Sequence, residues 1–450
     1  MNQQFKKWAV MFAITTLGSL AIQAQGDSGP LVEALIKKGV LSSQEGEEIR
    51  AGMLEDNSST AGGMLSWGSS AVKGVKLYGD ARLRYQWENK QRQNVSGIGN
   101  PSRDQDRSRY RYRLRLGADY KFSENWKSGI RLETSNASDS TNANFGGYFD
   151  KTGDGVNVGL VYLEYEINNP ELFGFSPADY FDLRMGKHLH PFLISNAFWD
   201  SDINPEGFSE QIAWNDVGVS GLTFTLRGGQ YVISEANENN TLVGNTDSAL
   251  FVAQTEVNYE WATKTGFSIA PMFMLETGGK ISAATQENGG GPDNENADPF
   301  LGNFTVVQIP AQVYFNAWGL KHKAFGTWGV NFKGDGLIEQ PTNQSADNIP
   351  MFFNVGYELS KGKGKGAWKL SAEYRYLQAG SYTTNLSDSD FAKNELNQAG
   401  PVLAGNYSFT DNISGTVTWM HSNNISPAFN DTFNDAGDSD LVQVDLNWKF

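Results

Sequence analysis

Four arginines recur at every second position of one short segment, and no other pattern in the chain suggests chemistry as strongly. They are Arg109, Arg111, Arg113 and Arg115. Residues two apart in a β-strand share a face, so the four guanidinium groups would form a ladder. Guanidinium groups bind phosphate, sulfate and carboxylate through paired hydrogen bonds. The segment therefore predicts a surface that prefers anions, of which sugar acids are one class.

Further basic residues fall on the same predicted face of neighbouring segments. Each would cost about 2–4 kcal/mol if it faced the middle of a hydrocarbon layer, so all are expected to face water. The complete set of predicted inward-facing basic residues is Arg82, Arg84, Arg109, Arg111, Arg113, Arg115, Lys127, Arg131 and Arg184. The alternative is that inward carboxylates pair with these residues and leave little net field. Folding about residues 123–125 sets Arg115 opposite Glu133, and Glu164 and Glu166 are further candidates.

The segment from His188 to Phe208, HLHPFLISNAFWDSDINPEGF, combines apolar and acidic residues. Apolar side chains in a loop are expected to pack against other parts of the molecule. We therefore predict that this loop folds inward and sets Asp200, Asp202 and Glu206 opposite the basic face. Opposed charges across a narrow passage orient polar solutes. The alternative is an external loop that packs on the rim or on a neighbouring subunit.

Three other patterns are not expected to form sites. Residues 150–155 begin like a calcium loop, but Val161 stands where the bidentate glutamate belongs. His188 and His190 have no evident acidic partner for zinc. The adjacent His–Ser pair at 421–422 lacks an acid and an oxyanion hole, and neighbours in a strand point to opposite faces. The sequence thus predicts no metal, no cofactor and no enzyme.

The elements that must position these residues are β-strands. From Val75 onward, blocks of about ten residues alternate with the period of two that a strand requires. In the first block, Leu77 and Leu83 share one face, while Arg82 and Arg84 share the other. The sixteen predicted strands cover residues 75–87, 109–122, 126–135, 156–167, 180–188, 209–214, 222–231, 249–261, 267–275, 305–318, 323–333, 351–359, 368–377, 402–409, 413–419 and 440–450.

The connections between these strands alternate in length, as the turns and loops of outer-membrane barrels do. Short ones include 123–125, 262–265, 361–366 and 410–412, and long polar ones include 88–108, 276–303, 334–348 and 421–439. The last ten residues, LVQVDLNWKF, alternate strictly and end on Phe450, an aromatic suited to a membrane interface. The fold class predicted is an all-β, transmembrane antiparallel barrel.

The N-terminus is typical of an exported protein. Lys6 and Lys7 precede the uncharged apolar run 8–21, and Ala24 is suited to cleavage, so residues 1–24 are a predicted signal peptide. Residues 25–73 are a predicted periplasmic helical segment and linker, and residues 74–450 the barrel. No other segment approaches the roughly 20 apolar residues of a membrane helix. In lipid, the remaining option is a closed barrel. The absence of cysteine excludes disulfides, and the net charge of −15 argues against nucleic acid as a partner.

Particular motifs resemble the Gram-negative family known as putative porins. The segment DLRMGKHLHPF followed by WDSDINPEGF is similar to the family's strand ending in Gly-Lys, then Pro-Phe, then an acidic run, and LVEALIKKGVLSSQEGEEI and GDARLRYQW resemble its N-terminal extension and first strand. The matching residues are Gly186, Lys187, Pro191, Phe192, Trp199, Asp200, Asp202, Pro205, Glu206 and Gly207. A weaker similarity to phosphate-selective porins does not carry phosphate specificity over.

The resemblance implies a passive, water-filled channel in the outer membrane of a Gram-negative bacterium. It also implies a homotrimer. Expected partners are outer-membrane lipid with lipopolysaccharide, small polar or anionic solutes, and the barrel-assembly machinery that would recognise the Phe450 end. The alternative is a structural or adhesive barrel that uses its long acidic loops and periplasmic helices. A channel needs polar inward faces all around, and we predict that every clear strand of this sequence supplies them. A structural barrel would tolerate an apolar interior.

Overall fold

The structure is a computed structural model that describes residues 74–92, 105–135, 141–145, 155–170, 178–234, 247–277, 304–333, 349–378, 380–383, 385–392, 396–425 and 436–450. The predicted signal peptide, the predicted helical segment 25–73 and most of the calcium-like segment 150–155 lie outside these residues. Among the residues described, no helix is long and apolar enough to cross a membrane.

Sixteen antiparallel strands form a single closed sheet in the described part of the chain. The strands are β1 Val75–Arg92, β2 Gln105–Lys121, β3 Trp126–Ser135, β4 Gly155–Asn168, β5 Tyr180–Lys187, β6 Glu206–Trp214, β7 Leu222–Ser234, β8 Ser248–Ala262, β9 Thr265–Ile269 with Met272–Thr277, β10 Thr305–Ala317, β11 Leu320–Asn331, β12 Met351–Lys361, β13 Trp368–Leu377, β14 Gln398–Ser408, β15 Ile413–Asn424 and β16 Ala436–Lys449. A two-residue bridge, Ala143–Asn144, extends the pairing with β2. The predicted fold class and strand number are confirmed.

The barrel closes where β1 pairs with β16, with Arg84 opposite Asp445 and Trp87 opposite Val442. The chain end completes this seam, because the Phe450 N–H donates to the Gly79 carbonyl at 3.1 Å and the Gly79 N–H donates to the Phe450 carbonyl at 3.0 Å. A Cβ at Gly79 would come within 2.4 Å of the Phe450 ring. Glycine at this position therefore makes room for the terminal aromatic.

Aromatic side chains ring the outer surface at both ends of the barrel. We call the end with the short connections the turn end and the opposite end the loop end. Trp126, Trp214 and Trp448 point outward near the turn end, and Tyr110 and Trp328 do so toward the loop end. Between these rings the outward residues are mostly Leu, Val, Ile, Ala and Phe. Such a band, bordered by aromatic rings, suits a surface in contact with lipid.

Two loops at the loop end fold into the barrel. The first connects β5 to β6 (residues 188–205), and the second connects β13 to β14 (described residues 378, 380–383, 385–392 and 396–397). Their side chains Phe198, Trp199 and Tyr382 are essentially inaccessible to solvent. We call these segments the first inward loop and the second inward loop. The predicted infolding of the first loop is confirmed.

The two loops cover one side of the interior with an apolar cluster. Its members from the barrel wall are Tyr231, Leu250, Val252, Met272, Met274, Val306, Phe352, Leu377, Val402, Met420 and Leu441. The prediction of polar inward faces all around is therefore wrong for this side. The physical reason is that these side chains meet the rings of the inward loops instead of water.

Candidate functional site

The nine predicted basic residues all lie on inward-facing positions of β1, β2, β3 and β5. Strand pairing fixes this, because Arg84 is opposite Asp445, Arg115 is opposite Glu133 and Arg184 is opposite Glu164. Alternate residues of each strand then share the interior. We call this surface the basic wall.

Carboxylates occupy much of the basic wall. Arg84 is buried, and its guanidinium makes two hydrogen bonds to Asp445, at 2.7 and 2.9 Å, and one to Asp390 at 3.1 Å. The Asp445 carboxylate also lies 3.9 Å from Arg82. A buried guanidinium needs such partners, because an unpaired charge would be strongly destabilising. Arg84 therefore joins the closing seam of the barrel to the second inward loop.

Arg113 joins the wall to the first inward loop. Its guanidinium lies 3.2 Å from Asp80 and 3.3 Å from Asp202, and Arg115 bonds the same Asp80 at 2.8 Å. The Asp202 carboxylate also accepts a hydrogen bond from Thr141 at 2.8 Å. One acid of the predicted loop thus reaches the basic wall as expected.

The register predicted from the turn at 123–125 is confirmed, but the ion pair inferred from it is not formed. Arg115 is opposite Glu133 in the sheet. However, Arg115 bonds Asp80, and Glu133 bonds Arg131 at 3.0 Å. Residues two apart on one strand face reach each other as easily as residues across strands, and the sequence does not say which contact forms.

The remaining basic side chains of the wall also have polar partners. Lys127 lies 2.8 Å from Glu164, Arg184 lies 2.9 Å from Asp182, and Arg109 lies 3.2 Å from Glu88. Arg111 donates to Gln86 at 3.3 Å. The alternative of paired arginines is thus what the structure shows across most of the wall, and the net field there is much smaller than nine cations would give.

Of the three predicted loop acids, two reach the interior and one does not. Asp200 and Asp202 lie in the first inward loop. Glu206 is the first residue of β6 on the outward face, where its carboxylate pairs with Lys187 at 3.0 Å. The predicted strand began at residue 209. Because β6 begins earlier, Glu206 belongs to the sheet and not to the loop.

The second inward loop was not predicted. Tyr382 donates to the Phe198 carbonyl at 2.6 Å, and the backbone N–H of Asp200 donates to the Leu386 carbonyl at 2.8 Å. Asp200 in turn accepts hydrogen bonds from the Ser389 N–H and hydroxyl, at 3.0 and 2.9 Å. The two loops therefore lock each other. The sequence signal was available, since residues 380–392 combine apolar and acidic side chains as the first loop does.

Burial shifts the pKa of two groups in the first inward loop. It raises the pKa of the Asp200 carboxyl above its ordinary value, although the hydrogen bonds from Ser389 and Asp202 act in the opposite direction. It also lowers the pKa of His190 to about 4, with a smaller contribution from His188. His190 is therefore neutral at physiological pH, and its ring packs 4.7 Å from Trp199 as part of the apolar cluster.

Parts of the basic wall stay in contact with solvent. The exposed fractions of the side chains are 35% for Lys127, 26% for Arg184, 24% for Asp80 and 21% for Arg115. No group of acidic, histidine or cysteine residues suited to a metal ion occurs in the part of the chain that the structure describes. The site is thus a partly solvent-exposed, nearly charge-balanced wall that faces two interlocked loops.

Comparison with known proteins gives a family match over most of the chain. The model of the family described as "Putative porin" matches residues 47–274 and 334–450. No curated protein matches the sequence.

Several solved structures resemble the barrel. They are OprB of Pseudomonas putida at high pH (10% identity, 84% of this chain and 94% of that chain, TM-score 0.47), OmpF of Salmonella typhi in complex with daunomycin (13%, 84% and 97%, 0.44) and a loop L8 deletion mutant of OmpT of Vibrio cholerae (8%, 84% and 100%, 0.44). At these identities and TM-scores, the likenesses do not bear on function.

Proposed function

Because the chain belongs to the family described as "Putative porin", we propose that it forms a water-filled channel through which small polar solutes diffuse passively. The protein is an outer-membrane barrel of a Gram-negative bacterium, and its family indicates a channel rather than an enzyme. The short turns of such barrels face the periplasm, so the turn end is the periplasmic end.

The observation that carries this proposal is the solvent-exposed strip of the basic wall. Lys127, Arg184 and Asp80 face the interior and keep 35%, 26% and 24% of their side-chain surface exposed. Charged groups in a dry interior would be buried among their partners. Partial exposure on the inward face instead supports a path for water beside the two inward loops.

Liposome swelling tests the channel directly. Proteoliposomes that contain the purified, folded barrel are expected to swell in neutral sugars, with rates that fall as the sugar becomes larger. Liposomes that hold heat-denatured protein are the control. Swelling no faster than in this control, from a preparation that is folded by its heat-modifiable gel mobility, would contradict the proposal.

A structural barrel is the second candidate, and the apolar cluster is the observation that favours it. Phe198, Trp199, Phe352 and Tyr382 fill one side of the interior and are all at most 1% exposed. A barrel that serves only to hold its external loops would tolerate such packing. The same swelling assay separates the two candidates, since a plugged barrel passes no sugar.

We also propose that any preference for anions is weak. Most cations of the wall have a carboxylate within 4 Å, including Arg84 with Asp445, Arg113 with Asp202 and Lys127 with Glu164. Paired charges largely cancel beyond a Debye length of about 8 Å at physiological salt. The anion preference predicted from the ladder therefore stays a prediction.

The homotrimer implied by the family resemblance is a further proposal, and a polar pair on the outer surface supports it. Glu210 of β6 lies on the outer face of the barrel. Its carboxylate accepts a hydrogen bond from the Gln230 side-chain amide at 3.0 Å. It lies between the aromatic residues Phe208 and Trp214 of the same face. Ionisable groups at this depth are unfavourable in lipid and usually contact protein. The remaining predicted partners, lipopolysaccharide and the assembly machinery, stay predictions.

Replacing Glu210 and Gln230 with leucine is expected to shift the purified protein from trimers to monomers. The substitution removes the polar contacts that a neighbouring copy would make at this face. Native mass spectrometry measures the distribution. Glu206→Leu is the matched control, because it removes an outward carboxylate that lies beside Lys187 at the loop end. A double variant that stays trimeric would place the contact elsewhere.

A further inference from the structure

The inward face of β13 to β16 contains a polar recess near the periplasmic end. Its volume is about 460 Å³, and its lining includes Lys369, Ser371, Asn406, Thr416 and Lys449. Strand pairing places Lys369 opposite Asn406 and Asn406 opposite Thr416, so these side chains share the interior. The recess borders the basic wall at the closing seam, because its lining residues Asn447 and Lys449 are opposite Arg82 and Asp80 of β1.

Short inward side chains create the recess. Ser371 and Ala404 are opposite each other in the sheet, as are Ser408 and Ser414. These residues leave space between Lys369 of β13 and Lys449 of β16, which both line the recess. The volume is within the range of roughly 300–1,000 Å³ that small-molecule sites occupy.

The two ammonium groups of the recess are only partly neutralised, because Lys369 shares one carboxylate with another lysine. Lys449 is opposite Asp80 in the sheet, but the Asp80 carboxylate bonds Arg113 and Arg115. Within the described residues, no carboxylate lies within ion-pair distance of Lys449. Lys369 lies 3.5 Å from Glu358, and Lys323 lies at the same distance from that single carboxylate.

One carboxylate does border the recess. Asp411 lines its outer end, and its carboxylate accepts a hydrogen bond from the Lys365 N–H at 2.9 Å. Asp411 thus holds the neighbouring turn through the Lys365 N–H. Deeper in the recess, the Asn406 amide donates to the Thr416 hydroxyl at 2.8 Å, which fixes both groups as hydrogen-bonding partners for a solute.

We propose that this recess is a binding site for small hydroxylated anions of the sugar-acid class. The ammonium group of either Lys369 or Lys449 would hold the carboxylate, and the hydroxyl and amide groups between these two lysines would exchange hydrogen bonds with the solute's hydroxyls. Charge-assisted hydrogen bonds give the anion its advantage over a neutral sugar. The proposal rests on the channel function only for access, because the pocket itself needs no conduction.

Isothermal titration calorimetry with gluconate, on the folded barrel in detergent, tests the site. Wild-type protein is expected to bind gluconate more tightly than neutral glucose. Lys369→Gln with Lys449→Gln should weaken gluconate binding by about tenfold while leaving the weak glucose signal unchanged. Lys363→Gln with Lys365→Gln is the matched control, because it removes the same charge from the adjacent turn, outside the recess.

The outcomes separate this proposal from the channel function. Equal loss in both double variants would show a general field and overturn the site, as would gluconate binding no tighter than glucose. If the barrel binds gluconate but passes no solute through a membrane, the channel function fails and the site stands. Unchanged binding in the Lys369 and Lys449 variant would exclude these lysines.

Discussion

Replacing Tyr382 with alanine is expected to free both inward loops and to raise the single-channel conductance roughly twofold, because in the proposed channel these loops occupy part of the interior and narrow the passage. The Tyr382 ring packs 4.8 Å from Phe352 and 5.3 Å from Phe304, and its hydroxyl holds the Phe198 carbonyl at 2.6 Å. Loss of a fully buried aromatic side chain costs about 3–5 kcal/mol. This cost destabilises the packing of the inward loops and not the barrel itself, because the strand pairing does not depend on Tyr382.

Single-channel recording in a planar bilayer measures the change, and the noise of the open current should increase as well. Tyr374→Ala is the matched control, because Tyr374 lies on the outward face of β13 and is 43% exposed. It should leave the conductance unchanged. A Tyr382→Ala barrel that folds and conducts as the wild type does would show that the inward loops do not narrow the passage.

Replacing Arg111 and Arg113 with glutamate is expected to make the channel clearly cation-selective. The substitution removes two guanidinium groups and leaves the Asp80 and Asp202 carboxylates, which lie 3.2 and 3.3 Å from Arg113, beside a new carboxylate. Rings of acidic side chains select cations. We expect the cation-to-anion permeability ratio to rise by about threefold or more, as measured by the reversal potential in a salt gradient.

The substitution Asp202→Asn is expected to shift the ion selectivity in the opposite direction. It removes one carboxylate from Arg113 and should move the reversal potential toward anions. Thermal unfolding of both variants shows whether the barrel is intact. Shifts in the same direction, or no shift in either variant, would mean that ions do not pass this part of the wall.

Much of the fold was predictable because the lipid and the interior impose the same alternation on every strand. Sequence alternation alone identifies the inward face of two strands. These are β2, with its four alternate arginines, and β16, with its strictly alternating last ten residues. Strand ends were less certain, and Glu206 shows the consequence. An end placed three residues too late assigned an outward carboxylate to the loop.

The contacts between loops and wall were not predictable from local patterns. Arg84 pairs with Asp390, and Tyr382 bonds the backbone of Phe198, across sequence separations of 306 and 184 residues. No periodicity reports such contacts. Met272 and Met274 show that the inward face of a strand can also be missed. Their alternating pattern would suit a strand with either face toward lipid. The inner face is apolar here because it packs against the inward loops.

The most direct test of the account is the current through a planar bilayer that holds the purified barrel between unequal KCl solutions. We expect steady conductance with a reversal potential that is close to zero or indicates slight anion selectivity, because the cations of the wall are largely paired with carboxylates. A folded barrel that passes no current would contradict the channel and favour the structural alternative.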